Sequence, residues 1–345
     1  MRRWTMIIMA LVLSLALLSG ACAPAAPKNP ADFYAQKTVT LTVISKPGGG
    51  GDFAARLLAS YWTEATGGTM VVKNITGAGG LLGINHVYNS KPDGLTIGTA
   101  DFGGQMLGAW LFKRPGVEFD IEKFTWLSVC LADPYGFVVG ANLPYKSAED
   151  VKGVEGFKFA TVTVDGTEVV ACMLIAEALD MKDVRIIPGY KGTSPIGLAL
   201  AQGEVDGATF NNGANIAFIQ KGFAKPPLVT LWPERVEPFP DTPTLTEVVK
   251  LSPEEEAMLG IFYALKSAKV FYAPPGVDAA KVEFMRNAID QVLEMKGFRR
   301  QIALRFAVWF EPTKGADVAA EIEKLLVIPE EDVALVKQMF AKYVK

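Results

Sequence analysis

Three glycine-bearing turns carry the chemistry that this chain offers. Lys46-Pro-Gly-Gly-Gly-Gly-Asp52 lies between an alternating polar–apolar run, Thr38 to Ile44, and a helical stripe of Phe53, Leu57, Leu58, Tyr61 and Ala65. Asp52 is expected to cap that helix, and Gly67-Gly68 to end it. Gly77-Ala-Gly-Gly80 follows a second short strand, Thr69 to Asn74, and leads into Leu81, Leu82, Ile84, Val87 and Tyr88 at helical spacing. In Lys191-Gly-Thr-Ser-Pro-Ile196, Ser194 is expected as N-cap and Pro195 as the first helical residue. Glycine lets a ligand approach the main chain closely. A helix start presents unpaired N–H groups and a partial positive charge, so such a corner binds an anion without Lys or Arg. Three converging corners would hold a small carboxylate; separately, each is only a tight connection.

Other chemistries find little support. No Gly-Lys-Ser/Thr follows either glycine run, and Gly77, Gly79 and Gly83 miss the dinucleotide spacing. The one histidine, His86, falls on the helix after Gly80, so a Ser-His-Asp set would have to use it. HExxH, GxSxG and zinc-type cysteine spacings are absent, and no metal or cofactor is expected. Asp101, Asp165, Glu168 and Asp206 have no spacing that pairs them, which leaves capping or surface roles. With 34 Lys+Arg against 37 Asp+Glu, no basic patch suggests nucleic acid. Anion-binding turns without a catalytic set read as a receptor, not an enzyme.

The elements that must position these turns alternate between strand-like and helix-like, an α/β pattern. Strands are expected at 95–100, 124–129, 136–139, 157–164, 184–187 and 228–231, and a helix at 168–179. Ser147 with Asp150 and Thr244 with Glu247 resemble capping boxes. Asp278 caps a stripe of Val282, Met285, Ile289, Val292 and Met295, and a last helix starts near Pro329. Arg2-Arg3, an apolar run from Met6 to Leu18 and the small Ser19-Gly20-Ala21 predict a signal peptide over 1–21. Cys22 then looks like an acylated first residue, although Leu is more usual than Ser at position 19, and 22–36 reads as a tether. Cys130 and Cys172 lie in separate apolar runs and are expected as two buried thiols rather than a disulfide.

In order, Pro47–Asp52 with Ala55-Arg-Leu-Leu58, Asn74 with Gly77–Gly80 and Gly83, Pro92-Asp-Gly94 through Gly98, Phe119-Asp120 with Phe124, Gly189-Tyr-Lys-Gly192, Gly203-Glu-Val-Asp206, Pro243–Glu247 and Ala273-Pro-Pro-Gly276 resemble the extracytoplasmic solute receptors of tripartite tricarboxylate transporters, the Bug or TctC receptors. The resemblance runs over nearly all of 33–311. It implies a two-domain periplasmic-binding-protein fold of type II with the ligand in the interdomain cleft. One domain would combine 37–130 with 234–345, and the other would be 131–233. A small organic carboxylate would meet main-chain N–H groups of Gly49, Gly50, Gly51 and Asp52, and of Gly77, Ala78, Gly79 and Gly80. The loop at Ala100, Asp101, Phe102 and Gly103 would line the cleft, with Asp165, Thr167, Gly192, Thr193, Ser194 and Asn211 opposite. A monomer that hands its solute to membrane permease subunits is implied. The same fold would also serve a sensor for a membrane histidine kinase; an exported hydrolase or isomerase is a more distant alternative. Gly51 stands where relatives have Thr or Ser, and Asp165-Gly-Thr-Glu168 replaces a Gly/Ser-rich stretch. Phe102 and Phe210 would either favour a longer or aromatic ligand or pack in the core.

Overall fold

The computed structural model describes residues 29–130, 134–265, 269–306 and 312–344; the signal-peptide and Cys22 expectations lie outside the described residues. After a short helix α1 (Pro30–Ala35), the alternating Thr38–Val43 forms β1, followed by α2 (Gly50–Thr66), β2 (Thr69–Asn74), α3 (Leu81–Tyr88) and β3 (Thr96–Asp101). A π-helical turn over Phe102–Leu107 runs into α4 (Gly108–Leu111), and β4 (Thr125–Cys130) follows. The chain then builds β5 (Tyr135–Val139), β6 (Lys158–Ala160), α5 (Thr167–Ala178), β7 (Arg185–Ile187), α6 (Thr193–Gln202), β8 (Gly207–Asn211), α7 (Asn212–Gln220) and β9 (Val229–Leu231). It closes with α8 (Leu245–Val248), α9 (Pro253–Leu265), β10 (Lys269–Ala273), α10 (Ala279–Glu294), α11 (Lys296–Phe306), β11 (Pro312–Thr313), α12 (Val318–Leu326) and α13 (Glu330–Tyr343).

The strands form two sheets. Six order as β11-β4-β10-β3-β1-β2 and five as β7-β6-β8-β5-β9. In the first, β1 pairs parallel with β2 and β3, while β10 runs antiparallel to β3 and β4. In the second, β6 pairs parallel with β7 and β8, and β5 runs antiparallel to β8 and β9. Strand alternation gives the first sheet two buried faces. Val39, Leu41, Val43, Leu127 and Phe271 pack with Leu58 and Trp62 of α2 and Met285 and Ile289 of α10. Trp126, Val129, Val270 and Tyr272 turn to the other core, with Ile84 and Val87 of α3 and Phe102. Gly98 makes room there, because a Cβ would lie 2.8 Å from the Tyr272 hydroxyl.

That second core continues into the other sheet. Phe137, Phe159 and Leu231 share it with α5, which is buried along nearly all its length. Such an all-round apolar helix must be covered on every side. The second sheet covers one side, and α9 and α13 contact the rest. The chain end also reaches the second sheet, where Val344 bridges Ile186 beside the Tyr343–Glu177 hydrogen bond. One expectation shifts and one holds for Cys172, while the Cys130 side chain lies outside the described residues. The strand expected at 157–164 ends at Ala160, because the Thr161 hydroxyl donates to Thr163 O and Glu168 Oε1 accepts from Thr163 N, which bends the backbone away. Cys172 is a free thiol, buried and paired with the Thr209 hydroxyl at 2.6 Å.

Candidate functional site

Register places the first two predicted turns at one sheet edge, and the third on the other sheet. Val43 lies opposite both Asn74 and Thr99, so β1, β2 and β3 end at one edge of their sheet. Residues 44–49, 75–80 and 102–107 all leave from that edge. In the other sheet, β6, β7 and β8 also run parallel, and residues 161–166, 188–192 and the start of α7 leave from their carboxyl ends. Crevices outside such strand ends are where open α/β sheets take their ligands.

In the first turn, α2 begins at Gly50, with Gly49 as its N-cap and no side-chain cap. The amides of Gly50, Gly51 and Asp52 are therefore helix-start donors without a capping oxygen. The expected capping role of Asp52 is corrected: it sits inside the first turn, 3% exposed, and its carboxylate reaches backward. Gly48 N donates to it at 2.9 Å, Arg56 Nε at 3.0 Å and Asn74 Nδ2 at 2.8 Å. Asn74 Nδ2 also donates to Ser45 O. Asp52 thus fastens the first turn to the end of β2. The Arg56 guanidinium and these donors hold its carboxyl down, to about 2. The Ser45 hydroxyl is buried beside Gly51 without a hydrogen-bond partner, 3.0 Å from where a Gly51 Cβ would stand.

The second turn is left-handed through its whole length. Gly77, Ala78, Gly79 and Gly80 have φ of 132°, 48°, 67° and 104°. Gly80 caps α3 and offers no side-chain oxygen, but Gly80 N donates to Gly77 O and Leu81 N to Ala78 O, so the turn itself uses part of this helix start. The turn is pressed on Ile44, since a Cβ on Gly80 or Gly83 would come within 2.8 Å of its side chain. Only glycine fits both the backbone and the space there.

The turn after β3 meets the other half directly. Asp101 accepts from Gly104 N and lies 3.5 Å from Lys269 Nζ. A Cβ on Gly103 would overlap the Leu265 carbonyl oxygen, which also accepts from the Thr167 hydroxyl. A Cβ on Gly104 would touch Gly166 and Thr167 at 3.5 Å. Asp165 is bound by Arg114, through Nε at 3.0 Å and through Nη2, and Arg114 Nη2 also donates to Gly104 O at 3.3 Å. A Cβ on Gly79 would stand 3.3 Å from the same guanidinium. Gly79, Gly103, Asp165 and Thr167 are therefore brought into one cluster.

The remaining expected residues are placed differently. Ala100 and Phe102 are buried, and the Phe102 ring packs edge-on to Trp126. Phe210 packs likewise on Phe218. α6 starts at Thr193 with Gly192, at φ of 107°, as N-cap, so Ser194 is its second residue and not its cap, and no side chain caps this start. Thr193 and Ser194 are exposed. Asn211 caps α7 through Ala214 N, and its side chain is used there. The carboxylates left open are each engaged: Asp206 with Lys158 N, Glu168 with the Thr163 hydroxyl and amide. Exposed His86 lies on α3, where burial of its ring edge and Lys73 push its pKa down. It borders a groove with Asn85, Asn89 and Glu118, away from the turns. Among the described residues, no group of three or more His, Cys, Asp or Glu is placed to hold a metal, and no helix is long and apolar enough to cross a membrane. Arg114 is the residue that sequence reasoning missed. Its only sequence signal is the turn Lys113-Arg-Pro-Gly116, which says nothing about where the side chain goes.

Two α/β sheets whose parallel strand ends meet over glycine turns define the class of periplasmic solute-binding proteins. The chain belongs to the TctC family, described as tripartite tricarboxylate transporter family receptor, whose profile matches residues 54–313. It is similar to protein BugT of Bordetella pertussis, 26% identical over 325 residues, covering 91% of this chain and 94% of BugT. MatC from Rhodopseudomonas palustris, solved with bound malate, superposes with a TM-score of 0.64 at 23% identity over 88% of this chain and 98% of MatC. A second R. palustris protein, solved with adipate, gives 0.67 at 20% identity over 88% and 98%.

Proposed function

We propose that this chain is an exported receptor that captures a small organic carboxylate at the meeting of its two sheets and delivers it to the permease of a tripartite tricarboxylate-type transporter. The observation that carries this is the pair of uncapped, glycine-bearing helix starts, Gly49–Asp52 and Gly77–Gly80, at one strand edge and held together by Asp52 and Asn74. Gly49 N and Gly80 N are used within their own turns, and the amides of Gly50, Gly51 and Asp52, which no side chain caps, offer a carboxylate several donors and a favourable helix dipole without chemistry of their own. Malate in MatC and adipate in the second R. palustris protein are bound by neighbours of the same fold. On this reading the turns have a binding role and no catalytic step, in keeping with a family of receptors. Residues 37–130 with 234–345 form one domain and 131–233 the other, with export directed by residues 1–21 and a lipid anchor at Cys22. Isothermal titration of the purified chain against malate, adipate, citrate, glucose and arginine tests the reading. Carboxylates bind and the other two do not; binding of glucose or arginine alone refutes it.

A further inference from the structure

Arg114 brings a positive charge to the meeting of the two sheets, and the inference drawn from it rests on the carboxylate-receptor reading above. Its guanidinium bonds Gly104 O after β3 and Asp165 after β6, and leaves no more than 3.3 Å for a Cβ on Gly79 after β2. The position is built rather than incidental. Both side chains of the Arg114–Asp165 pair are only 16% exposed. The Arg114 backbone is fixed by the end of α4, where Lys113 takes a left-handed φ of 52°. Lys113 N donates to Trp110 O and Arg114 N to Ala109 O, the paired bonds that turn a chain back at a helix end. The Arg114 fork receives a carboxylate bidentately, the geometry it would also give a free one.

Asp165 is not needed to shape its own loop. That loop is held by Glu168 on Thr163, by the Thr167 hydroxyl on Leu265 O, and by Gly166 packed on the Thr163 side chain. The Asp165 carboxylate takes part in none of these contacts. Its neighbour Val164 is 54% exposed, so the segment borders water.

We propose that Arg114 is a ligand-binding residue and that Asp165 is its built-in, displaceable counter-ion. A solute with two carboxylates places one on the amides of a glycine turn and exchanges the other for Asp165 on the guanidinium. Asp165 then moves toward water with its charge kept. The exchange swaps one charge-assisted fork for another, so Asp165 sets how strongly a solute must bind before it is accepted. A solute without a second carboxylate has nothing to offer in the exchange.

Titration calorimetry of malate, adipate and propionate at fixed ionic strength tests this on the full chain and on D165N, R114K, R114Q and the double variant. D165N binds the dicarboxylates roughly tenfold tighter, R114Q roughly tenfold or more weaker, and R114K several-fold weaker, with little change for propionate. The double variant binds no tighter than R114Q. Unchanged or weaker binding in D165N, or wild-type affinity in R114Q, overturns the exchange. So does a D165N gain that persists without Arg114, which would be general relief of negative charge. Should R114Q not fold by circular dichroism, R114K decides: unchanged affinity there overturns the role of the fork. Absence of carboxylate binding in the folded wild type and in D165N would instead refute the receptor reading.

Discussion

Replacing Asp52 by Asn should remove a fastening rather than a ligand contact, and its cost should depend on pH in a defined way. The Asp52 side chain is 4% exposed and accepts from Gly48 N, Arg56 Nε and Asn74 Nδ2, while Arg56 beside it is 51% exposed. Its pKa falls from an ordinary 3.8 to about 2, the Arg56 hydrogen bond being the largest cause. At about 1.4 kcal/mol per tenfold, that drop corresponds to roughly 2.4 kcal/mol, and water around Arg56 reduces the usable part to about 1 kcal/mol. Asn also turns an NH2 toward donors, adding about 1 kcal/mol for a mispaired buried group. The expected loss at pH 7 is therefore about 2 kcal/mol. The folded pKa lies below the unfolded one, so the ionised contribution is complete above about pH 4 and is lost as pH falls toward 2. Urea unfolding of wild type and D52N at steps from pH 7 to pH 2.5 checks this. The gap between them should hold to about pH 4 and then shrink. A constant gap, or none at pH 7, would show that the Asp52 cluster does not fasten the turn.

Gly103→Ala should cost about 2–3 kcal/mol or prevent folding, because the new methyl overlaps the Leu265 carbonyl oxygen and both are backbone-held; a urea midpoint within error of wild type would contradict the close approach. Lys113→Gly should stabilise by about 0.5–1 kcal/mol, since φ of 52° strains a side-chain-bearing residue; thermal denaturation at a lowered midpoint would count against the helix-end geometry. Cys172 should resist Ellman's reagent in the native protein at pH 8. Burial pushes its thiol up to about 12, which leaves about one thiolate in ten thousand at that pH; rapid native labelling of the Cys172 peptide would refute this.

The parts of the fold written in side-chain patterns could be read directly. β1 and α2 follow their alternation and stripe, and Thr244 with Glu247 forms the expected capping box. Asp278 caps α10 through Ala280 N and Lys281 N. The errors arise where backbone replaces side chains. Gly49 and Gly192 cap their helices with no side chain at all, so a search for Asp or Ser puts the start too late, at Asp52 and Ser194. Thr161 and Thr163 have strand-forming side chains, but Glu168 captures Thr163 from five residues away and ends β6. No pattern named α9, whose position depends on contacts with α5 and the turn at Gly103. The Arg114–Asp165 pair spans 51 residues and two sheets, and no local rule reaches that far.

Two carboxylate–arginine pairs at this site show how one interaction serves opposite ends. Leaving a guanidinium as enclosed as that of Arg114 without a partner costs more than an exposed one, so an amide-built site that gains an arginine also needs an anion beside it. Asp52 answers Arg56 with a carboxylate shared among Gly48, Asn74 and the guanidinium, within one sheet and on a helix. Freeing it would undo the turn. Asp165 answers Arg114 from a loop whose shape other residues hold, and among the described residues Arg114 is the only group its carboxylate binds. Freeing it breaks one pairing that a solute carboxylate restores in kind. The number of independent ties on each aspartate, not the strength of its ion pair, separates the fastening from the exchangeable counter-ion.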